Sequence, residues 1–191
     1  MRIACFASGS GSNVEAIFEA IEDGRMSARC VLLVCDRPGA PVIERAVRRG
    51  CDVFVFAAKE YPDKEAFERE IVAELERRGV ERIILAGYMR LIGQVLLEAY
   101  QGRIVNIHPS LLPSFPGKDA IAQAFHAGVK ITGVTIHVVD EGMDTGPIIA
   151  QESVRLDNDM THEELQKAIQ RVEHELYPRV IEEWIKEGAN V

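Results

Sequence analysis

The first hundred residues alternate between short apolar runs and segments whose apolar positions recur every three or four residues. The runs predict β-strands at residues 2–8, 28–36, 52–57, 80–87 and 103–107. The segments between them predict amphipathic helices at residues 14–24, 40–49, 63–78 and 91–100. Because the strands are apolar throughout, both faces of the sheet should be covered, which is typical of a parallel sheet with helices on each side.

The pattern changes after residue 117. A short helix is predicted at 118–127, followed by a longer strand at 131–140. The glycine-rich stretch EGMDTG then forms a loop, and the strand predicted at 147–156 should be antiparallel to its neighbour. The fold class is therefore α/β, with a single doubly wound, mostly parallel, Rossmann-like sheet, helices on both faces and antiparallel strands in the C-terminal half.

A last helix closes the predicted element order. Thr161 and Glu164 have the spacing of a capping box at its start, and Pro178 is expected to bend it. A length of 191 residues suffices for one substantial core, so residues 1–191 are interpreted as a single domain.

Composition and charge narrow the class of function. The net charge of −8 argues against a general nucleic-acid or membrane-surface binder, but it leaves room for a small anion held by backbone N–H groups. The four cysteines form no CxxC pair and lie in or beside apolar runs, which predicts reduced, buried thiols. With no signal-peptide pattern and no apolar run near the ~20 residues that span a bilayer, a cytoplasmic protein is expected. The five histidines show no zinc spacing, so no metal is predicted.

The turn between the first strand and the first helix reads SGSGSN, residues 8–13. Its glycines allow the backbone to approach a ligand, Ser12 and Asn13 suit a helix cap, and a helix N-terminus favours an anion. A monophosphate site is the preferred interpretation. A plain structural turn is one alternative, and a dinucleotide site using Asp36 is another, although Val14 stands where its third glycine belongs.

The stretch NIHPSLLPSFPG, residues 106–117, follows the fifth predicted strand. Strand alternation places the side chains of Asn106 and His108 on the same side. Three prolines stiffen the loop behind them, as preorganisation of a site requires. The alternative is a pair of satisfied polar groups at a strand end.

Two further polar residues complete the candidate cluster. Asp144, in the glycine-rich loop, is either a surface carboxylate or the partner of a histidine, where it would favour the imidazolium and orient the ring. His137, on the adjoining strand, is either a supporting residue or a core histidine bonded to backbone. An asparagine, a histidine and an aspartate without a nucleophile suit direct transfer of an acyl group to a substrate amine.

These motifs carry a resemblance that covers nearly the whole chain. NIHPSLLPSFPG, followed by DEGMDTGPII, resembles the formyltransferases that use 10-formyltetrahydrofolate. SGSGSN, LAGYMRLI (85–92) and VEHELYP (172–178) make the chain similar to the branch that formylates glycinamide ribonucleotide in purine synthesis. The resemblance implies two small-molecule substrates, no metal, no nucleic-acid or membrane partner, and a monomer or homodimer. It also implies a ribotide-binding half, 1–100, and a catalytic and folate-binding half, 101–191.

The resemblance also implies roles for individual residues. Asn106, His108 and Asp144 match the catalytic residues, with His137 supporting them. The residues matched to the ribotide are Gly11, Ser12, Asn13, Pro109 and Glu173. The residues matched to the folate are Lys64, Met89, Arg90, Leu91, Ile92, Val139, Asp140, Glu141, Met143 and Asp144. Many relatives have a histidine two residues after the PG of this motif, whereas this chain has Asp119, so that contact is not carried over.

Rival functions follow from the same motifs. Other enzymes of this superfamily formylate a tRNA or a sugar amine, or hydrolyse the formyl-folate. The tRNA enzyme and the hydrolase would be expected to carry an extra domain, for which 191 residues leave no room. A non-catalytic ribotide-binding module would explain the turn but not the arrangement of Asn106, His108 and Asp144. A nucleotide-dependent oxidoreductase is weakened by the missing third glycine.

Overall fold

The computed structural model describes residues 1–188 and contains one mixed sheet flanked by helices. The strands are β1 (Arg2–Phe6), β2 (Arg29–Cys35), β3 (Asp52–Val55), β4 (Arg82–Leu85), β5 (Ile104–His108), β6 (Ile131–Val138) and β7 (Ile148–Arg155). The helices are α1 (Ser12–Glu22), α2 (Pro41–Arg48), α3 (Lys64–Arg77), α4 (Gln94–Ala99), α5 (Ala120–Ala127) and α6 (His162–Lys186), with a short 3₁₀ turn at Ala58–Glu60.

The strand order is β3-β2-β1-β4-β5-β6-β7. The first five strands of this order are parallel, whereas β6 is antiparallel to both β5 and β7. The predicted fold class is confirmed, including the antiparallel pairing in the C-terminal half. The chain crosses from one side of β1 to the other between β3 and β4, so β1 and β4 form the switch point at which open α/β sheets bind ligands.

Alternation along each central strand divides the core into two layers. Ile3 and Cys5 of β1 face a cluster that includes Tyr177 of α6, whereas Ala4 and Phe6 face the opposite cluster. The first layer is covered by α1, α2, α5 and α6, and the second by α3 and α4. Burial on both faces explains why these strands are apolar without interruption. All four cysteines are buried and free.

Helix α6 ties the two halves of the sheet together. Its capping box is present as predicted, with the Thr161 side chain accepting from the Glu164 N–H. The helix runs through Pro178 as one element of 25 residues. The fully buried Tyr177 donates its hydroxyl proton to the Leu85 carbonyl at 2.7 Å, at the end of β4. This bond anchors α6 beneath the strand ends that carry the candidate site.

Most predicted boundaries differ from the structure by a few residues, and two of these differences bear on the candidate site. The fifth strand extends one residue further than predicted, so His108 is its last residue. The helix predicted at 91–100 begins only at Gln94. The Gly93 N–H donates to Glu68 of α3 at 2.6 Å, and the segment before it follows contacts with neighbouring elements instead of helical hydrogen bonds. Tertiary contacts have overridden the local helical pattern there.

Candidate active site

Polar side chains from distant parts of the sequence meet at one end of the sheet. Register pairs Asn106 of β5 with His137 of β6, and the loop between β6 and β7 brings Asp144 beside them. Asp144 Oδ2 lies 3.4 Å from His108 Nδ1, and Asp144 Oδ1 lies 3.7 Å from His137 Nε2. These four residues are called the carboxylate–imidazole cluster below.

Both ring nitrogens of His108 face hydrogen-bond acceptors. The side chain is buried, with Nδ1 toward the Asp144 carboxylate and Nε2 2.8 Å from the carbonyl oxygen of Phe115. Carboxylate and carbonyl oxygens only accept hydrogen bonds, so each ring nitrogen can bond to the oxygen that it faces only when it carries a proton. The contacts also hold the ring in one orientation.

Asp144 joins the imidazoles to the proline-rich segment. Its backbone φ of 56° lies in the left-handed region that non-glycine residues rarely adopt, and its Oδ2 accepts the N–H of Gly117 at 2.8 Å. Burial acts to raise the pKa of the Asp144 carboxyl, but the His137 imidazole, the Gly117 N–H and the nearby His108 together lower that pKa below its ordinary value. The group is therefore a carboxylate at neutral pH.

Asn106 is oriented by His137. The His137 Nδ1 lies 2.9 Å from the carbonyl oxygen of Val138, and its Nε2 lies 3.2 Å from Asn106 Nδ2. The Nδ1 contact fixes the ring, and Nε2 then faces both the Asn106 amide and Asp144 Oδ1. His137 therefore holds the Asn106 side chain in place beside the Asp144 carboxylate.

Side chains of β6 and β7 hold the segment 109–117. Thr135 accepts the Leu112 N–H at 3.0 Å and donates to the Ser110 carbonyl at 2.7 Å, and Gln151 donates to the Leu112 carbonyl at 2.9 Å. Neither Thr135 nor Gln151 was predicted as a supporting residue. The available signal for Thr135 was its position two residues before a candidate residue, on the same face of a strand.

Gly11 shapes the turn between β1 and α1. Its φ of 76° is left-handed, and a Cβ there would lie 2.4 Å from Val42 Cγ2, so only glycine fits. The predicted cap at Ser12 or Asn13 was wrong, because Gly11 is the N-cap and makes no side-chain capping bond. The first N–H groups of the helix are thus left without a capping side chain, which suits an anion.

Glu173 reaches this turn from α6. Its Oε2 accepts a hydrogen bond from Asn13 Nδ2 at 3.4 Å, and it is 8% exposed. Burial raises the pKa of Glu173 to about 7, and the Asn13 amide offsets only part of that effect. The Oδ1 atom of Asn13 is buried and has no hydrogen-bond partner within residues 1–188. The predicted ribotide residues Asn13 and Glu173 are therefore in contact.

The turn and the carboxylate–imidazole cluster lie at the same edge of the sheet. β4 pairs with β1 on one side and β5 on the other, all three parallel. The C-terminal ends of β1 and β5 are therefore roughly 10 Å apart, twice the spacing of neighbouring strands. This separation suits one cleft with two adjoining substrate positions.

Asp36 does not serve as the free acid that a dinucleotide site requires. Its Oδ1 accepts the Ser8 hydroxyl proton at 2.5 Å, and its Oδ2 accepts the Arg90 Nε–H at 2.8 Å. Both oxygens are thus engaged by the protein, which removes the support for that interpretation. Sequence reasoning had noted the position of Asp36 but not its partners.

Large apolar side chains are exposed at the same edge. Met89 is 61% exposed, Leu91 55% and Met143 50%, whereas Ile92 is buried. Exposed apolar groups beside a polar cluster are typical of a ligand cleft. The segment 86–93, which connects β4 to α4, supplies three of these four residues.

The other residues matched to the folate occupy nearby loops and one helix start. Lys64 is the first residue of α3 and is exposed. The Val139 N–H donates to the Ile104 carbonyl at 2.9 Å, and Asp140 Oδ1 accepts the Thr145 hydroxyl proton at 2.7 Å. Glu141 is exposed in the same loop. Pro109 directly follows β5 and is half-buried.

Residues 1–188 contain neither a metal-ligand cluster nor a membrane-spanning helix. No group of three or more His, Cys, Asp or Glu residues in this part of the chain is arranged to hold a metal ion. Among the described helices, none combines the length and the apolar character needed to cross a membrane.

Comparison with known proteins identifies the family. Residues 1–181 match the family model described as formyl transferase. The chain is 54% identical over 182 residues to the phosphoribosylglycinamide formyltransferase of Bacillus subtilis (strain 168), covering 95% of this chain and 93% of that protein. It is 38% identical to the trifunctional purine biosynthetic protein adenosine-3 of Drosophila melanogaster, of which it matches 14%.

Solved structures agree with the sequence matches. Glycinamide ribonucleotide transformylase 1 from Geobacillus kaustophilus superposes with a TM-score of 0.94 at 61% identity, covering 95% of this chain and 97% of that one. Phosphoribosylglycinamide formyltransferase from Bacillus halodurans gives a TM-score of 0.94 at 54% identity, covering 96% and 94% of the two chains.

The raised pKa of Glu173 predicts a pH dependence of stability. The folded state binds this proton more tightly than the unfolded state, so stability falls as pH rises from about 4.5 to about 7. Glu173→Gln removes that loss. Its stability advantage over the parent should grow by more than ~1 kcal/mol between pH 5 and pH 8, measured by urea unfolding. Glu175→Gln, an exposed change on the same helix, is the control, and an equal gain there would contradict the prediction.

Proposed function

The chain belongs to the formyl transferase family, and we propose that it transfers the formyl group of 10-formyltetrahydrofolate to the amine of glycinamide ribonucleotide. Its bacterial relatives are named phosphoribosylglycinamide formyltransferase and glycinamide ribonucleotide transformylase 1. The observation that carries the proposal is the position of Asp144, in contact with His108 and His137 beside Asn106, at the same sheet edge as the anion-binding turn.

The reaction is a direct transfer. The substrate amine attacks the formyl carbon, a C–N bond forms, and the bond from that carbon to N10 breaks. The amine loses a proton and N10 gains one, through His108 or a water molecule. Asn106 and the imidazolium of His108 donate hydrogen bonds to the oxyanion of the tetrahedral intermediate, while Asp144 orients the imidazolium and balances its charge.

His108 must exchange one protein contact to act on the substrate. Its Nε2 donates to the Phe115 carbonyl and its Nδ1 faces Asp144. Asp144 also accepts the Gly117 N–H, which holds the carboxylate in position against Nδ1. The Phe115 carbonyl likewise accepts from the Ser110 hydroxyl at 3.2 Å. We therefore assign the Phe115 contact as the one that the substrate oxygen replaces.

The ribotide is assigned to the turn after β1. The backbone N–H groups of Gly11, Ser12 and Asn13 would hold its phosphate, and Glu173 would accept hydrogen bonds from its ribose hydroxyls. The buried, unpartnered Oδ1 of Asn13 supports a ligand donor at this position. Pro109 would line the path from the ribotide to the cluster.

The formyl donor is assigned to the cleft between the segment 86–93 and the loop 139–144. Its flat, partly apolar rings fit the exposed side chains of Met89, Leu91 and Met143, and polar ring atoms would bond to backbone groups. Lys64, at the rim, would attract the negatively charged glutamate tail. Both substrates are small molecules, and a cytoplasmic monomer or homodimer is expected.

A coupled assay on the purified chain tests the function. We expect the absorbance of 10-formyltetrahydrofolate to change only when glycinamide ribonucleotide is also present. Turnover without the ribotide would identify a formyl-folate hydrolase instead. Absence of turnover with both substrates would contradict the proposal. The alternative, formyl transfer to another sugar amine, would be contradicted if such amines are also inactive.

The catalytic assignment predicts the effect of three substitutions. Asn106→Ala, His108→Ala and Asp144→Ala should each lower kcat by roughly 10²-fold or more, since each removes an oxyanion donor or the carboxylate that orients it. His126→Ala, which removes an exposed histidine, is the matched control and should keep parental kcat. Near-parental turnover in all three site variants would refute the assignment.

The phosphate assignment predicts a separate effect on substrate affinity. Gly11→Ala forces a Cβ into Val42 and strains the left-handed turn. The KM for the ribotide should rise roughly fivefold or more, because the strain costs at least ~1 kcal/mol and displaces the N–H groups. Ser12→Ala keeps every backbone N–H and should change this KM less than threefold. An unchanged KM in a folded Gly11→Ala protein would count against the assignment.

A further inference from the structure

We propose that Asp36 is a positioning residue for the formyl donor: with Ser8, it holds the segment 86–93 in the conformation that binds the folate. This inference rests on the proposed function for the identity of the ligand. The holding contacts themselves are independent of it. Neither Asp36 nor Ser8 was among the residues matched to either substrate.

The segment 86–93 needs an external anchor. It lies between β4 and α4 and belongs to no helix or strand. Two of its largest side chains, Met89 and Leu91, are exposed and cannot fix it by packing. Tyr88 gives one apolar contact, its ring meeting the edge of the Phe6 ring with centroids 5.3 Å apart. Ile92 is buried at the far end, and the Arg90 guanidinium lies 5.8 Å from the centroid of the Phe67 ring. Between these points, the backbone N–H of Met89 is held by a polar contact.

Asp36 supports this contact through a buried relay. The Met89 N–H donates to the Ser8 hydroxyl at 2.9 Å, and the Ser8 hydroxyl donates its own proton to Asp36 Oδ1 at 2.5 Å. Ser8 is 1% exposed and Asp36 7% exposed. The carboxylate sets the direction of the hydroxyl proton, which leaves a lone pair of the oxygen for Met89.

The second oxygen of Asp36 holds the next residue. Arg90 Nε donates to Asp36 Oδ2 at 2.8 Å. The Asp36 side chain is 4% exposed and the Arg90 side chain 40% exposed, so the acid is the fixed partner. A charge-assisted hydrogen bond to a fixed, buried carboxylate is stronger than one between exposed groups. One carboxylate thus binds a backbone amide indirectly and a side chain directly.

The far end of the segment has its own anchor. Glu68 of α3 accepts the N–H of Gly93 at 2.6 Å and that of Leu96 at 3.3 Å. Burial raises the pKa of Glu68 above its ordinary value. Since Glu68 caps α4 and does not reach Met89, the conformation of the exposed central residues is left to Asp36.

The relay also connects the two proposed substrate positions. Ser8 immediately precedes the turn at residues 9–13, and its N–H donates to the Gly87 carbonyl at 3.0 Å. A substitution at Ser8 is therefore adjacent in sequence to the turn assigned to the ribotide, but the contacts that it removes are with the segment assigned to the folate. The inference predicts an effect on folate binding and not on ribotide binding, which can be measured.

Hydrogen–deuterium exchange measures the holding contact without any assay of activity. In Asp36→Ala and Ser8→Ala, exchange of the peptide containing residues 86–93 should accelerate roughly tenfold or more. Ser8→Ala removes the acceptor of the Met89 amide, and Asp36→Ala removes the carboxylate that orients this acceptor and holds Arg90. Asp36→Asn keeps an acceptor for the Ser8 hydroxyl and should restore most of the protection. Asp52→Asn, which breaks an exposed pair with Arg78, is the matched control.

Steady-state kinetics measures the consequence for binding. Asp36→Ala and Ser8→Ala should raise the KM for 10-formyltetrahydrofolate roughly tenfold, the factor that corresponds to one lost hydrogen bond, and change the ribotide KM less than twofold. A merely structural role would lower the folded fraction and therefore kcat, without this split between the two KM values.

Two outcomes would overturn the inference. Parental exchange in both Asp36→Ala and Ser8→Ala would show that the relay does not hold the segment, whatever the chain catalyses. Accelerated exchange with an unchanged folate KM would show that holding the segment does not position the folate. If the parental protein turns over neither substrate, the proposed function is refuted. Hydrogen–deuterium exchange of residues 86–93, measured with and without tetrahydrofolate, would then decide whether the segment binds folate.

Discussion

Burial of the parallel strands on both faces is the constraint on which the rest of the structure depends. Alternate residues of β1 face opposite cores, so neither face of the strand is available for a polar site. Polar groups that could bind a ligand are therefore placed at the ends of the strands and in the loops that follow them. At the C-terminal edge, the turn after β1, the segment after β4 and the residues ending β5 lie side by side. Because β1, β4 and β5 are neighbours in the sheet, the loops that follow them line one cleft with room for two substrate positions.

Buried carboxylates organise this edge. A carboxylate taken out of water is costly unless several donors satisfy it, so each one fixes the groups around it. Asp144 connects two histidines with the proline-rich segment, Asp36 connects β2 with the segment after β4, and Glu68 caps α4. Glu173 is the exception, because it has only the long Asn13 contact and a raised pKa. Because the protein supplies Glu173 with few hydrogen-bond donors, a bound ligand could supply the others.

Similarity to characterised relatives and physical argument support the function in different ways. An identity of 54% over almost the full length of a bacterial phosphoribosylglycinamide formyltransferase supports formyl transfer as the reaction. The geometry explains why the matched residues would perform it, since His108 and Asn106 are each oriented by a partner that the motif alone does not reveal. The left-handed Gly11 likewise gives a steric reason for a glycine that a motif match only records.

The sequence by itself determined the fold class, nearly every element, the capping box at Thr161 and the pairing of Asn106 and His108 on one face of β5, because periodicity and capping are local properties of the chain. It also indicated Asp144, but left open whether this residue is a surface carboxylate or the partner of a histidine. Only the tertiary structure decided that Asp144 meets His108, that Asp36 is engaged by Ser8 and Arg90, and that α4 starts late. Those outcomes depend on contacts between residues up to 54 positions apart, whose energies no local pattern contains.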